Sequence, residues 1–271
     1  YNDSWCVNSL SQILKIHFMK RSIKSLIGYS LKEIDGEIGK VDEFYFDDVS
    51  WTIRYLVVKT GNWLSGRKVL ISPEALLKPD WENEEFPVNL TKAQIESSPD
   101  IDTDKPVSRQ HEEELSSYYT WDAYWDGQEH GAGIFGSMPS ELYESEEPEN
   151  LDDTEESEGN NDQHLQSTEA VTGYTIHATD GEIGKVVDYI LDDSNWKIDY
   201  LVIDTGTWLN SKKRLLSTGW VTNVNWDNKV VIVNVSTDEV KNSPDFDSSQ
   251  PVNEVDEKIL YDYYGRPHHK K

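Results

Sequence analysis

The run Trp51–Lys59 sets Ile53, Tyr55 and Val57 on one side of an extended chain and Leu56 and Val58 on the other, so both faces are apolar. A strand in a simple two-layer sheet would keep one polar face. This strand is expected to fill a small barrel with one face and to meet a helix, a sister domain or another chain with the other. Upstream, Ser30–Ile34 and Ile38–Phe46 flank Asp35-Gly36, a dipeptide suited to the positive φ of a tight turn, and predict a hairpin. Asp47-Asp48-Val49-Ser50 predicts the next turn. After a loop at Thr60–Gly66, strands are expected near Arg67–Ser72, Leu76–Asp80 and Glu85–Leu90. Short strands at this spacing predict a closed or nearly closed antiparallel barrel, which also removes exposed edges. Thr91 and Ser108 are expected N-caps of a short and a longer appended helix.

The same pattern returns 145 positions later without a gap. Asp35 through Val41 recurs letter for letter as Asp180 through Val186. Trp51, Ile53 and Tyr55-Leu56-Val57 recur as Trp196, Ile198 and Tyr200-Leu201-Val202. Strands are expected at Trp196–Asp204, Lys212–Ser217, Val221–Asn225 and Val230–Val235, with Ser236 and Asn253 as helix caps. Val255, Ile259 and Leu260 form a stripe expected to cover the second barrel. Self-similarity of this length marks a tandem duplication. The expected organisation is an extension at 1–26, a first barrel domain with helices at 27–120, an acidic linker at 121–170, a second such domain at 171–265 and a tail at 266–271. The fold class is mainly β with appended helices: two small antiparallel barrels on a disordered linker.

Charge supports that linker. The chain carries 51 Asp and Glu against 25 Lys and Arg, a net charge of −26, and no Lys or Arg occurs between Arg109 and Lys185. Self-repulsion and scarce apolar residues predict disorder over Glu141–Glu169. The same charge disfavours nucleic acid and anionic lipid as partners. No apolar run approaches the ~20 residues of a membrane-spanning helix. The single cysteine, Cys6, lies outside both copies, so no disulfide is expected and a cytoplasmic setting is. Met19-Lys20-Arg21 has the look of a translation start, which would make Tyr1–Phe18 upstream sequence; the alternative is a short helix at Leu10–Phe18.

Gly28 and Gly173, each followed by Asp-Gly-Glu-Ile-Gly-Lys-Val, an Asp-Asp pair and Trp-x-Ile-x-Tyr-Leu-Val, give the chain a resemblance to the PRC-barrel family in both copies. In the first copy the likeness runs on through Arg67-Lys68-Val69-Leu70-Ile71-Ser72-Pro73. The family takes its name from the cytoplasmic domain of the photosynthetic reaction-centre H subunit, and a related barrel occurs in a ribosome-maturation factor. The resemblance implies a soluble bacterial protein with two such barrels. Neither the H subunit's membrane helix nor the maturation factor's other domain is expected here.

Candidate chemistry is sparse. No histidine is shared between the copies: His177 aligns with Lys32, and His111 with Asp256. Neither a nucleophile with its base nor a positioned acid pair recurs, so no enzyme activity and no cofactor are expected. Asp47-Asp48 and Asp192-Asp193 could ligate a cation, but turn chemistry accounts for them. Glu37 and Lys40, repeated as Glu182 and Lys185, suggest a cross-strand ion pair. His268-His269-Lys270-Lys271 is too short to preorganise a metal site. Aromatic residues on loops are better candidates for binding a protein partner: Trp63 and Trp208 after the third strands, and Trp121, Tyr124 and Trp125 after the first copy's long helix. The charge reversal of Arg54 to Asp199 suggests a pseudo-twofold contact between barrels, with those two residues facing each other. The expected function is a non-catalytic interaction or adaptor module, bound to an unidentified protein or to itself. The alternatives are a reaction-centre H-like role in electron and proton transfer, and a small-ligand-binding barrel.

Overall fold

The computed structural model describes residues 19–33, 36–99, 107, 109–124, 164–206 and 211–267. They divide into two compact units. The larger holds both sheets, in the residues up to Ser97 and from His164 onward, and the smaller falls within Ser98–Gln163 and includes the first copy's long helix.

In the first copy the strands are β1 (Lys20–Ser22), β2 (Ser30–Glu33), β3 (Gly36–Asp47), β4 (Ile53–Thr60), β5 (Lys68–Ile71) and β6 (Glu85–Pro87). The second copy holds β7 (Leu165–Ser167), β8 (Thr175–Ala178), β9 (Gly181–Asp192), β10 (Lys197–Asp204), β11 (Lys213–Ser217), β12 (Val221–Asn225) and β13 (Val230–Val233). The hairpin, the turn after β3 and the doubly apolar third strand form as the pattern predicts. Ile53, Tyr55, Leu56, Val57 and Val58 are all buried, as are their equivalents Ile198, Tyr200, Leu201, Val202 and Ile203. Thr91 and Ser236 cap short helices at Lys92–Glu96 and Thr237–Asn242 through capping boxes with Gln94 and Glu239.

The barrels are neither wholly antiparallel nor closed by strand pairing. The first sheet runs β5-β4-β3-β2-β6 and the second β11-β10-β9-β8-β13-β12. In both, the pairing of the first hairpin strand with the late strand is parallel, β2 with β6 and β8 with β13. Among the described strands no ladder joins β5 to β6. The connection from Ile71 to Glu85 reverses the chain but carries it to the far edge of the sheet, beside β2 instead of β5, so β6 runs parallel to β2. The strand expected at Leu76–Asp80 is reduced to isolated bridges, Leu76 with Val88 and Asp80 with Glu85. Pro73 and Pro79 withdraw ladder donors there, and Asp80 folds into a turn with Asn83.

The most consequential departure lies in β1 and β7. Each copy's leading strand pairs with the other copy's long strand: Lys20 with Asp192 and Ser22 with Ile190 on one side, Leu165 with Asp47 and Ser167 with Tyr45 on the other. All four pairings are related by the repeat offset. Residues 20–26, expected in an extension, and 165–170, expected in a linker, are therefore parts of the fold. The apolar anchors behind each strand, Ile23 and Leu26 or Val171, are buried, which fixes the entering chain.

Glycine has one steric duty that repeats. A Cβ on Gly39 would lie 2.3 Å from the Lys59 carbonyl oxygen, and one on Gly184 would lie 2.1 Å from that of Asp204. The second glycine of Asp-Gly-Glu-Ile-Gly thus lets the long strand cross the third strand at close approach.

The smaller unit contains the helix Arg109–Tyr119. Glu112 is fully buried, takes a 3.0 Å ion pair from Arg109 and accepts a 2.6 Å hydrogen bond from the Tyr124 hydroxyl.

Candidate functional site

The two copies meet along a seam with pseudo-twofold symmetry, centred where Thr52 bridges Lys197, its own repeat equivalent. The Ile53 amide donates to the Trp196 carbonyl at 2.8 Å, and the Ile198 amide donates to the Trp51 carbonyl at 2.7 Å. Trp51 and Trp196 are held at φ 59° and 58°. Left-handed backbone is costly for a bulky residue, by about 1–2 kcal/mol. Here it turns each carbonyl toward the opposite copy. Their amides close the preceding turns onto Asp47 and Asp192 at 2.8 and 2.9 Å. Phe46 stacks on Trp51 at 5.2 Å, and across the seam Phe46 meets Tyr189 at 6.3 Å and Phe86 meets Trp196 at 5.9 Å.

The two members of each Asp-Asp pair have different jobs. Asp47 and Asp192 accept from the amides of Ser50 at 2.6 Å and Ser194 at 2.9 Å, the turn role expected for them. Asp48 and Asp193 instead receive the other copy's entering strand. Their amides donate to the carbonyls of His164 at 2.9 Å and Met19 at 3.3 Å, two equivalent positions. The Asp193 carboxylate also takes the Met19 amide and the Arg21 Nε, each at 2.9 Å. Arg21 lies 3.8 Å from the Trp81 ring centroid as well, so one side chain joins the second copy's turn to the first copy's aromatic cluster. Asp48 is served by Gln166, the equivalent of Arg21, and burial with the nearby Asp47 holds its carboxyl above the usual value.

Deeper in the seam a serine of each copy grips a buried acid of the other. Ser22 Oγ donates to Asp188 Oδ2 at 2.5 Å, and Ser167 Oγ donates to Glu43. Each serine also caps the helical turn after its strand. Burial raises the Glu43 carboxyl above its ordinary value, and the Ser167 hydrogen bond offsets only part of that.

Asp199 does take part in the contact between copies, but with a partner other than Arg54. Its carboxylate pairs with Lys20 of the first copy's leading strand. Lys20 also reaches Glu257 at 2.6 Å, and Glu257 accepts the Tyr200 hydroxyl at 2.6 Å. Burial disfavours the Lys20 charge, yet Asp199 and Glu257 outweigh it and its pKa stands above the ordinary lysine value. Burial together with Glu257 drives the Tyr200 hydroxyl well above the usual tyrosine range. Register explains the correction. With Thr52 against Lys197 in antiparallel pairing, the residue facing Arg54 is Asn195 and the residue facing Asp199 is Ser50. Arg54 Nη2 lies 3.5 Å from Ser50 Oγ, in its own copy.

The loop aromatics are dispersed. Trp63 is half-buried, donates its indole N–H to the Ile38 carbonyl at 2.7 Å and lies 5.7 Å from the Lys92 ammonium. In the smaller unit Trp121 stacks on Tyr119 at 4.2 Å, and Tyr124 is tied to Glu112. Trp208 and Trp125 lie outside the described residues. Glu37 and Lys40 share strand β3, so they cannot form a cross-strand pair; Lys40 faces Ser30 and Lys59. Among the described residues no group of three His, Cys, Asp or Glu side chains is placed to hold a metal ion. No described helix is long and apolar enough to cross a membrane.

Sequence reasoning missed Lys20, Glu257 and both serines. Ser22 and Ser167 do stand at the repeat offset, as do Glu112 and Glu257. No curated protein matches the chain. A family model described as PRC-barrel domain matches residues 20–93 and 171–240, so the match begins at the exchanged strand of the first copy.

Proposed function

We propose, from the premise that this chain belongs to the PRC-barrel domain family through both of its copies, that it is a non-catalytic interaction protein whose working part is the fused pair. The observation that carries this reading is the distribution of what the copies share. The repeated polar groups Asp48 and Asp193, Ser22 and Ser167 serve the seam, whereas the histidines do not repeat. A duplicated catalyst would be expected to retain reactive groups in both copies. Duplicated seam chemistry with divergent outer surfaces suits a scaffold that offers different faces to its partners.

The proposed partner contacts are the aromatic loops at Trp63 and Trp208 and the segment bearing Trp121, Tyr124 and Trp125, and the proposed setting is the cytoplasm. Because the Trp63 indole N–H is already satisfied by Ile38, its contribution would come from the ring. Affinity capture from an extract of the source organism, with wild type against W63A and W208A, tests the proposal. Loss of the same captured proteins in either variant is expected. An identical set in all three samples would remove the loops from the proposal, and a turnover assay showing product formation would remove its non-catalytic half.

A further inference from the structure

The helix Glu254–Tyr263 buries one face through Glu257, Leu260 and Tyr264. On the opposite face Val255, Ile259 and Tyr263, four residues apart, are 65 %, 50 % and 41 % exposed. Only the third part of the expected Val255, Ile259 and Leu260 stripe, Leu260, packs inward. Glu257 sets this rotation, because its hydrogen bond to Tyr200 and its ion pair with Lys20 hold it against the sheet. The outward stripe belongs to the second copy alone, since the first copy has Gln110 and Glu114 where Val255 and Ile259 stand.

The surroundings of the stripe are acidic. Glu254, Asp256 and Asp262 are exposed on the same helix, and Asp238 and Glu239 are exposed on the helix before it. The one lysine within the helix, Lys258, is matched to Asp262 at 2.5 Å. The Tyr263 hydroxyl donates to the Glu239 carbonyl at 2.9 Å, which fixes its ring beside those acids. An apolar ridge rimmed by carboxylates complements an apolar ridge rimmed by cations. A second copy of this chain, with a net charge of −26, would be repelled.

We infer that Val255, Ile259 and Tyr263 form a docking ridge for a protein segment whose apolar residues recur at helical spacing and are bordered by lysine or arginine. This rests on the interaction reading above and names the chemistry of one partner. It can fail while loop-dependent capture succeeds, because its test uses defined peptides and no extract.

The probe is a fluorescent 18-residue peptide with leucines at helical spacing and lysines elsewhere, titrated into the full chain and read by anisotropy. Controls are a lysine and glutamine peptide of equal charge and a leucine and glutamate peptide. The V255Q/I259Q variant leaves net charge untouched and should raise the Kd of the leucine and lysine peptide at least tenfold, while binding of the leucine-free peptide stays unchanged. The E254Q/D262N variant, with the ridge intact, should weaken the same peptide and steepen nothing in its salt dependence. Equal affinity of the leucine and lysine peptide for wild type and V255Q/I259Q, or equal affinity of wild type for the leucine and glutamate peptide, overturns the assignment. So does a doubled mass of wild type in sedimentation that V255Q/I259Q abolishes, which would make a second copy the occupant. Melting curves of both variants should match wild type, since every substituted side chain is exposed.

Discussion

Thr52 and Lys197 occupy the same place in their respective copies and are bridged to each other, which puts the pseudo-twofold axis between them. With leading strands exchanged around that axis, neither sheet is complete without the other copy. Calorimetry should therefore show one cooperative unfolding transition for the paired copies. I198P removes the amide that the Trp51 carbonyl accepts at 2.7 Å and should cost about 3 kcal/mol. Two separate melting transitions, with only one displaced by I198P, would show that the copies unfold independently.

Ser22 and Ser167 each cap a turn and grip an acid of the opposite copy. S22A and S167A should each destabilise the chain by about 1–3 kcal/mol, the sum of a lost cap and an acid left with fewer donors. Urea denaturation gives the comparison. Loss confined to a few tenths of a kcal/mol would reduce the serines to surface caps.

Lys20 stands between Asp199 and Glu257. K20M should cost about 3 kcal/mol, because two carboxylates then share a partly buried site with no cation. The stability that Lys20 supplies is fully present below its ordinary value of 10.5 and should be lost as pH rises through its higher folded value. A denaturation series up to that range should show wild type losing its advantage over K20M.

Glu43 has the opposite consequence at neutral pH. Its folded value is raised above the ordinary 4.5, so its favourable contribution is present below that value and is lost as pH climbs through the folded one. E43Q retains an acceptor for Ser167 without the buried charge. It should melt above wild type at neutral pH and converge with it near pH 4. A constant difference at both pH values would assign the effect to packing.

Much of this architecture can be read from residue pattern. The double apolar face of β4, the capping residues Thr91, Ser236 and Asn253, and the Asp47 turn all follow from local chemistry, and each formed as expected. The exchange of strands did not declare itself, because β1 and β7 are three residues long and share only Ser22 with Ser167. Which sheet a short strand joins depends on distant partners and not on its own periodicity. The Arg54 and Asp199 inversion pointed to an electrostatic difference between copies. Its meaning needed Lys20, whose repeat counterpart is Leu165: the cation that meets Asp199 of the second copy lies on the first copy's entering strand, and the second copy's own entering strand has none.

The exchange of leading strands also sets the unit in which this protein can be inherited. A recombination event that cut between the copies and joined one of them to an unrelated neighbour would separate a sheet from a strand it requires. Substitutions in residues 20–22 are screened by the sheet of the second copy, and those in 165–167 by the sheet of the first. After duplication, the two halves were bound to a shared history along the seam, while their outward helices were free to diverge.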